Sequence, residues 1–588
     1  MNASSVNYAK EFWERLQQRP FSRLVRHCVD RIFSGGESAE PGELDPGIGT
    51  VLALLATPGA FASLFLTDHY GSLILWLSGR STSFDPYAMS SSDEYFFIVL
   101  AMVVAGAVAV WKWDRLVPDR RDYANLAPLP IGSSRIFFAN LAALALLAAV
   151  LSLDVNAVSS VLFPLVVCWQ QSPMVFPTFL ATHALTVVLA SAFGFLAVFA
   201  VLAIFMALLP YRVFRKLSVY VRCGIVFLLM VLLATSFSVP QKMQRLGHAS
   251  RAWTRLPPPA WFLGLCQTLR GLKGSVLVSL GDAAIVGLFG VLLFSLAAYS
   301  LCYARCFTQA AETPSNLTRG SARPTTLAFR VLDVLFLRSP FQRAAYRFAF
   351  RTIFRSEEQA FALGGFLSLG IVLASQKLLL AVGKKPPPAA NALPSAELLS
   401  VPLILGYFLI LGLWGVCAIP APLRANWVFR FHLDPRTREC VPLARKIILT
   451  FVVPGLTAFC LPVYAHFWGW RIGALHTALV AIWCVLLMEG LLVGFRKIPF
   501  TCSLPKFKSH AIVNALLLAL AYLAFTSATA TIESWALADP LWYIAFVPFL
   551  LGALFALYFW PKTMLDADPA LLFEEQSVRV VEVLNLGS

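Results

Sequence analysis

A helix needs roughly 20 apolar residues to cross the ~30 Å hydrocarbon core of a bilayer, and this sequence supplies such a run about twelve times. The runs are Ile48–Leu77, Glu94–Trp113, Arg135–Leu153, Pro177–Leu209, Ser218–Val239 and Val276–Ala304. They continue with Gln359–Val382, Leu398–Pro420, Lys446–Phe467, Trp470–Phe495, His510–Thr531 and Asp539–Trp560. Charged residues make up only 13% of the 588, against about 25% in an average soluble protein. That is too little charge to clothe three or four water-soluble domains. A soluble enzyme, a disordered chain and a disulfide scaffold are all excluded, and an all-α polytopic membrane protein is expected.

The net charge of +16 does not mark nucleic-acid binding, because Lys and Arg fall between apolar runs and not in one domain. They concentrate in the segments that lie on one side when both termini are cytoplasmic, as the positive-inside bias of membrane proteins requires. Six basic residues on the other side come from a single long loop, Pro240–Ser275. The first 47 residues are polar, so no cleavable leader is expected before Ile48. Val155–Trp169 reads as a re-entrant piece or an extension of the third span.

The spans fall into two halves with one plan. Phe21, Leu24, Val25, Cys28, Val29, Ile32 and Phe33 share one helical face within Val6–Phe33, opposite Arg23, Arg26, Asp30 and Arg31. That is an interfacial amphipathic helix. Before the seventh span, Arg343, Arg347, Arg351 and Arg355 recur every four residues, opposite Phe341, Ala345, Phe348 and Ile353. Each half then runs through two spans, a charged inner segment and four further spans. The expected domains are 1–47 (interfacial), 48–304 (first six-helix half), 305–358 (linker with the basic helix), 359–560 (second six-helix half) and 561–588 (cytoplasmic tail).

No phosphate-binding loop, zinc-protease motif or nucleophile elbow occurs, so no catalytic residue, metal or cofactor is expected on this chain. The eleven cysteines are scattered and form no framework; Cys302 and Cys306 sit one turn apart as packed thiols or, less simply, a metal or redox pair. An ionisable group inside a span costs about 2.5–3.5 kcal/mol on the insertion scale, which singles out Glu489 and Asp282 as a candidate intramembrane polar site. Glu489 reads either as a cavity-facing carboxylate for a cation, proton or basic group, or as a packed residue beside close helix contacts at Gly490 and Gly494. His183 and His476 read as satisfied core histidines. Leu256–Leu265, with three prolines and a Trp-Phe-Leu cluster, reads as a short half-inserted helix or an ordered loop at the outer face.

The inner segment Trp113–Arg135 combines Asp114, Arg115, Asp119, Arg120, Arg121 and Asp122 with Leu126, Pro128, Leu129 and Pro130 before a return into the membrane. Topology control would need the arginines but not the acids or the Pro-Leu-Pro stop; a rigid charged protrusion suits docking to a cytoplasmic protein. The segment resembles the inner loop of exporter-type (type-2) ABC transporter permeases, where a Leu-Pro-Leu/Val-x-Arg-like stretch leads into the third span. Surface helix, six-span unit, coupling helix and small outer helix all have counterparts, although here two units look fused and the second lacks the Leu-Pro-x-Pro run. The resemblance implies an exporter permease in the plasma (inner) membrane, powered by a separate ABC ATPase subunit. Asp114, Arg115, Asp119, Arg120, Arg121, Asp122, Pro128 and Pro130 would contact that subunit. A twelve-span ion-gradient transporter is the alternative, and a membrane-bound lipid or glycan enzyme a further one. The oligomeric state is not readable.

Overall fold

The computed structural model describes residues 20–33, 59, 86–117, 126, 131–168, 175–236, 257–272, 274–312, 333, 336–337, 339–383, 394–420, 440–493, 495, 497–501 and 511–564. Among them, eleven helices are long and apolar enough to span a bilayer, one for each expected run from Glu94–Trp113 onward. Ile48–Leu77 lies outside the described residues. The protein is an all-α, many-span membrane protein, and its chain divides into two compact units, residues 1–317 and 318–588.

Unit 1 opens with α1 (Pro20–Phe33), which buries Leu24, Cys28 and Ile32 at four-residue spacing. Phe21, expected on that face, is instead exposed. Next come α2 (Pro86–Trp111), the single turn α3 (Trp113–Leu116), α4 (Ser133–Ala157) and α5 (Ser159–Cys168). α5 continues α4 after one residue, giving a 33-residue apolar span, Ser133–Leu165. The Val155–Trp169 run is therefore an extension, not a re-entrant piece. α6 (Val175–Leu208), α7 (Tyr211–Thr235), α8 (Pro258–Leu269) and α9 (Ser275–Glu312) complete the unit.

The centre of unit 1 is the α2–α6 contact. A Cβ on Gly194 would lie 2.6 Å from the carbonyl oxygen of Met102, so only glycine permits this approach. Ser191 Oγ donates to the Ala101 carbonyl at 3.2 Å on the same seam, the small-residue packing that replaces hydrophobic drive inside lipid. The short helix expected within Leu256–Leu265 exists as α8. Pro258 starts it, and Ala260, Phe262 and Cys266 are fully buried against α2, α6 and α9.

Unit 2 opens with α10 (Pro340–Arg355), whose N-cap Ser339 accepts from the Gln342 N–H. It buries Ala345, Tyr346, Ala349 and Ile353 and exposes Arg343, Arg347 and Arg351. Part of that stripe is internally held: Arg347 pairs with Asp333, and Arg343 Nε donates to Leu337 at 3.0 Å. α11 (Glu357–Gly383) and α12 (Ala396–Val416) form one hairpin, α13 (Cys440–Trp468) and α14 (Trp470–Leu492) another. The second turns at Gly469, whose φ of 86° lies in the left-handed region that favours glycine.

α15 (Ala511–Leu523), a π-helical turn (Ala524–Ala528) and α16 (Thr529–Ala538) form one broken span, and α17 (Pro540–Met564) is the last helix. The sequence reading ends this eleventh span at Thr531. The helix instead runs to Ala538 and carries Glu533, which is fully buried.

Candidate functional site: ionisable groups buried at the span ends

The expected coupling residues divide by description. Asp119, Arg120, Arg121, Asp122, Pro128 and Pro130 lie outside the described residues, as does the side chain of Asp114. Arg115 lies on α3 and is half-buried. This turn is anchored by Trp113 and Leu116, each 2% exposed, with the indole 5.8 Å from the Phe199 ring of α6. α3 packs on both α1 and α2. α1 is tied in turn to α4 by Arg31, whose Nη2 donates to Asn140 Oδ1 at 2.9 Å.

Glu489 and Asp282 have different fates. Asp282 is exposed on α9, and α8 packs beside it through Gly281. Glu489 is buried and meets Arg445 of α13 at two points, Nη2–Oε2 2.6 Å and Nε–Oε1 2.5 Å. The guanidinium also lies 4.5 Å from the Tyr558 ring centroid. Among the described residues nothing lies within 4 Å of a Cβ at Gly490, so they show no close contact there, and Gly494 is outside the described residues. The ion pair, not tight packing, is what accommodates this carboxylate.

Two further buried clusters escape a reading of single spans. In unit 1, Arg270, the residue that ends α8, pairs with Glu94 of α2; their side chains are 11% and 1% exposed. Its guanidinium carbon is 3.6 Å from the Phe179 ring centroid, and its Nε donates to Thr182 Oγ1 at 3.4 Å. A cation at a helix C-terminus is favoured by the helix dipole, so α8 helps to hold the arginine that latches it. Beside this latch, His183 is fully buried among Phe97, Phe163 and Phe179, with ring centroids 4.9–6.4 Å away. Neither ring nitrogen has a hydrogen-bond partner among the described residues, which corrects the expectation of a satisfied core histidine.

In unit 2, His476 Nδ1 of α14 and Glu533 Oε1 of α16 are 2.5 Å apart, both side chains fully buried. Tyr464 of α13 lies across the imidazole, ring centroids 4.2 Å apart, and its hydroxyl donates to the Leu398 carbonyl at 2.5 Å. A small cavity lined by Thr457, Cys460, Thr477 and Cys484 separates α13 from α14 nearby. Among the described residues no group of three or more His, Cys, Asp or Glu is placed to hold a metal ion. The one signal that could have found this cluster is that His476 and Glu533 both lie within two turns of the same end of unit 2.

No family model, no curated protein and no solved structure matches this chain. The class that the fold defines is a helical, many-span membrane protein, an architecture consistent with a transporter of some kind.

Proposed function

We propose that the protein is the membrane-spanning permease subunit of an exporter-type ABC transporter, driven by ATP hydrolysed on a separate subunit. The observation that carries this reading is α3. It directly follows the span α2, pinned by Trp113 on Phe199 and touching α1 and α2, where a coupling segment after the second span is expected. A force applied to the charged loop that α3 begins would pass directly into α1, α2 and α6. The surface helix α1 and the short buried helix α8 before the last span of unit 1 support the same reading. On it, both termini face the cytoplasm, the membrane is the plasma membrane, and the chain itself does no covalent chemistry.

A second reading, transport driven by an ion gradient, draws support from the buried His476–Glu533 pair. Reconstitution of the chain into liposomes, with and without its co-purified ATP-hydrolysing subunit, separates the two. The permease reading expects efflux that requires ATP and that subunit. Efflux by the chain alone that stops when the proton gradient is collapsed would overturn it.

A further inference from the structure

Glu533 sits just past an irregular turn of its own span, and His476 meets it from α14. α16, which carries Glu533, is only ten residues long and is separated from α15 by the π-helical turn Ala524–Ala528. π-helical turns concentrate at functional sites and interrupt the regular ladder of the helix. Past that turn, the polar fastening of α16 to α14 is the carboxylate–imidazole contact itself.

The pair is half-satisfied. Glu533 Oε2 and His476 Nε2 are buried and have no hydrogen-bond partner among the described residues. The titratable neighbours that face it are Tyr464 and Cys460 from α13 and Tyr543 from α17. Tyr543 donates to the Leu475 carbonyl at 3.2 Å. α12 contributes Tyr407, whose hydroxyl donates to Leu518, and opens with Glu397; α15 contributes Tyr522. Arg471 on α14 is exposed, and Asp539, just past α16, accepts from the Leu541 N–H at 2.9 Å. The phenols and thiol among these are uncharged at neutral pH. The charge balance of the buried pair is therefore set by its own protons.

A buried ionic site is tolerable when its net charge is zero. One proton shared between the imidazole and the carboxylate meets that condition; none leaves a bare anion and two leave a bare cation. We propose that His476 and Glu533 form a proton-binding site that clamps α16 to α14, and that loss of its single proton releases α16 to swing about the π-helical turn. The site lies at the end of unit 2 where α14 begins and α16 ends, the outer face in the orientation expected from charge. It does not rest on the permease reading, since it concerns a proton and one helix and requires no ATPase.

The sign follows from proton counting. Closed, the site holds one proton. Opened to water, an imidazole loses its proton above about pH 6.5 and a carboxylate above about pH 4.3. Between these values both states hold one proton and the clamp is insensitive to pH. Above about pH 6.5 the open state holds none, so opening gains up to tenfold per pH unit. In E533Q the closed state holds no proton, while the opened imidazole binds one at low pH. Opening there must increase as pH falls, the reverse of the parent protein.

The test is a distance measurement between spin labels on keto-bearing residues genetically encoded at Trp470 and Trp535, both exposed. It uses the full chain in lipid nanodiscs between pH 5 and pH 9. The parent should show a longer-distance population growing only above about pH 6.5, E533Q one growing toward low pH, and H476Q one growing with pH across the whole range, because its carboxyl holds a proton when buried and loses it above about pH 4.3 when opened. H476Q and E533Q samples are compared at equal monodispersity, so misfolding is seen separately. An invariant distance in the parent, or E533Q with the parent's sign, would overturn the proposal.

Discussion

Arg445 and Glu489, 44 residues apart in sequence, close a two-point ion pair between α13 and α14 at the end opposite the His476–Glu533 clamp. The pair ties together the start of one span and the close of the next, in a region where each charge alone would be expensive. Removing one partner from such a buried pair is worth about 3–5 kcal/mol, whereas removing both can be close to neutral.

R445M and E489L should therefore each lower the thermal midpoint of the purified protein sharply. The double variant R445M/E489L should recover most of the loss. Melting curves of the four proteins in one detergent check this, and double-variant losses equal to the sum of the singles would contradict it.

The α2–α6 seam is a tightly constrained packing site in unit 1, closed by backbone. G194V places its side chain against the Met102 backbone, where nothing can move aside, and should abolish a monodisperse peak in size-exclusion chromatography. G224A meets nothing within 4 Å. It should behave as the parent, or gain up to about 1 kcal/mol from helix propensity.

Arg270 holds α8 through charge and through its flat face. R270M strands Glu94 in the interior and should cost roughly 3 kcal/mol, and the added change E94Q should return part of it. R270K keeps the charge but loses the stacked geometry over Phe179, and should fall between the two. Protease sensitivity of the chain around α8 reports each case.

The charged inner loop is tested by reversing its sign. R120E/R121E should leave expression and melting unchanged while ATP-dependent transport by the reconstituted complex falls at least tenfold. Unchanged ATPase binding together with unchanged transport would contradict the expectation.

Apolar length made the spans legible, since a run of some twenty hydrophobic residues admits few structures in lipid. Ala345 and Ile353, read opposite the arginine stripe, are buried, and the four-residue recurrence of those arginines likewise made α10 readable. Pairings across helices were not. Glu533 follows the last strongly apolar stretch of its span, so hydropathy places it in a loop. Only the continuation to Ala538 and the partner 57 residues earlier make it an interior group. Asp282, exposed on α9, shows a related limit: composition does not record which side of a helix a carboxylate in an apolar run occupies.

α9 has 38 residues, about 57 Å at 1.5 Å per residue. Even inclined by 40°, the upper end of what spanning helices adopt, it would reach about 44 Å along the membrane normal, some 14 Å more than the hydrocarbon is thick. A stiff rod of that length crosses the headgroup layer without a joint. Any tilt imposed on it within the lipid must reappear, undiminished, as a sideways displacement in the water beyond.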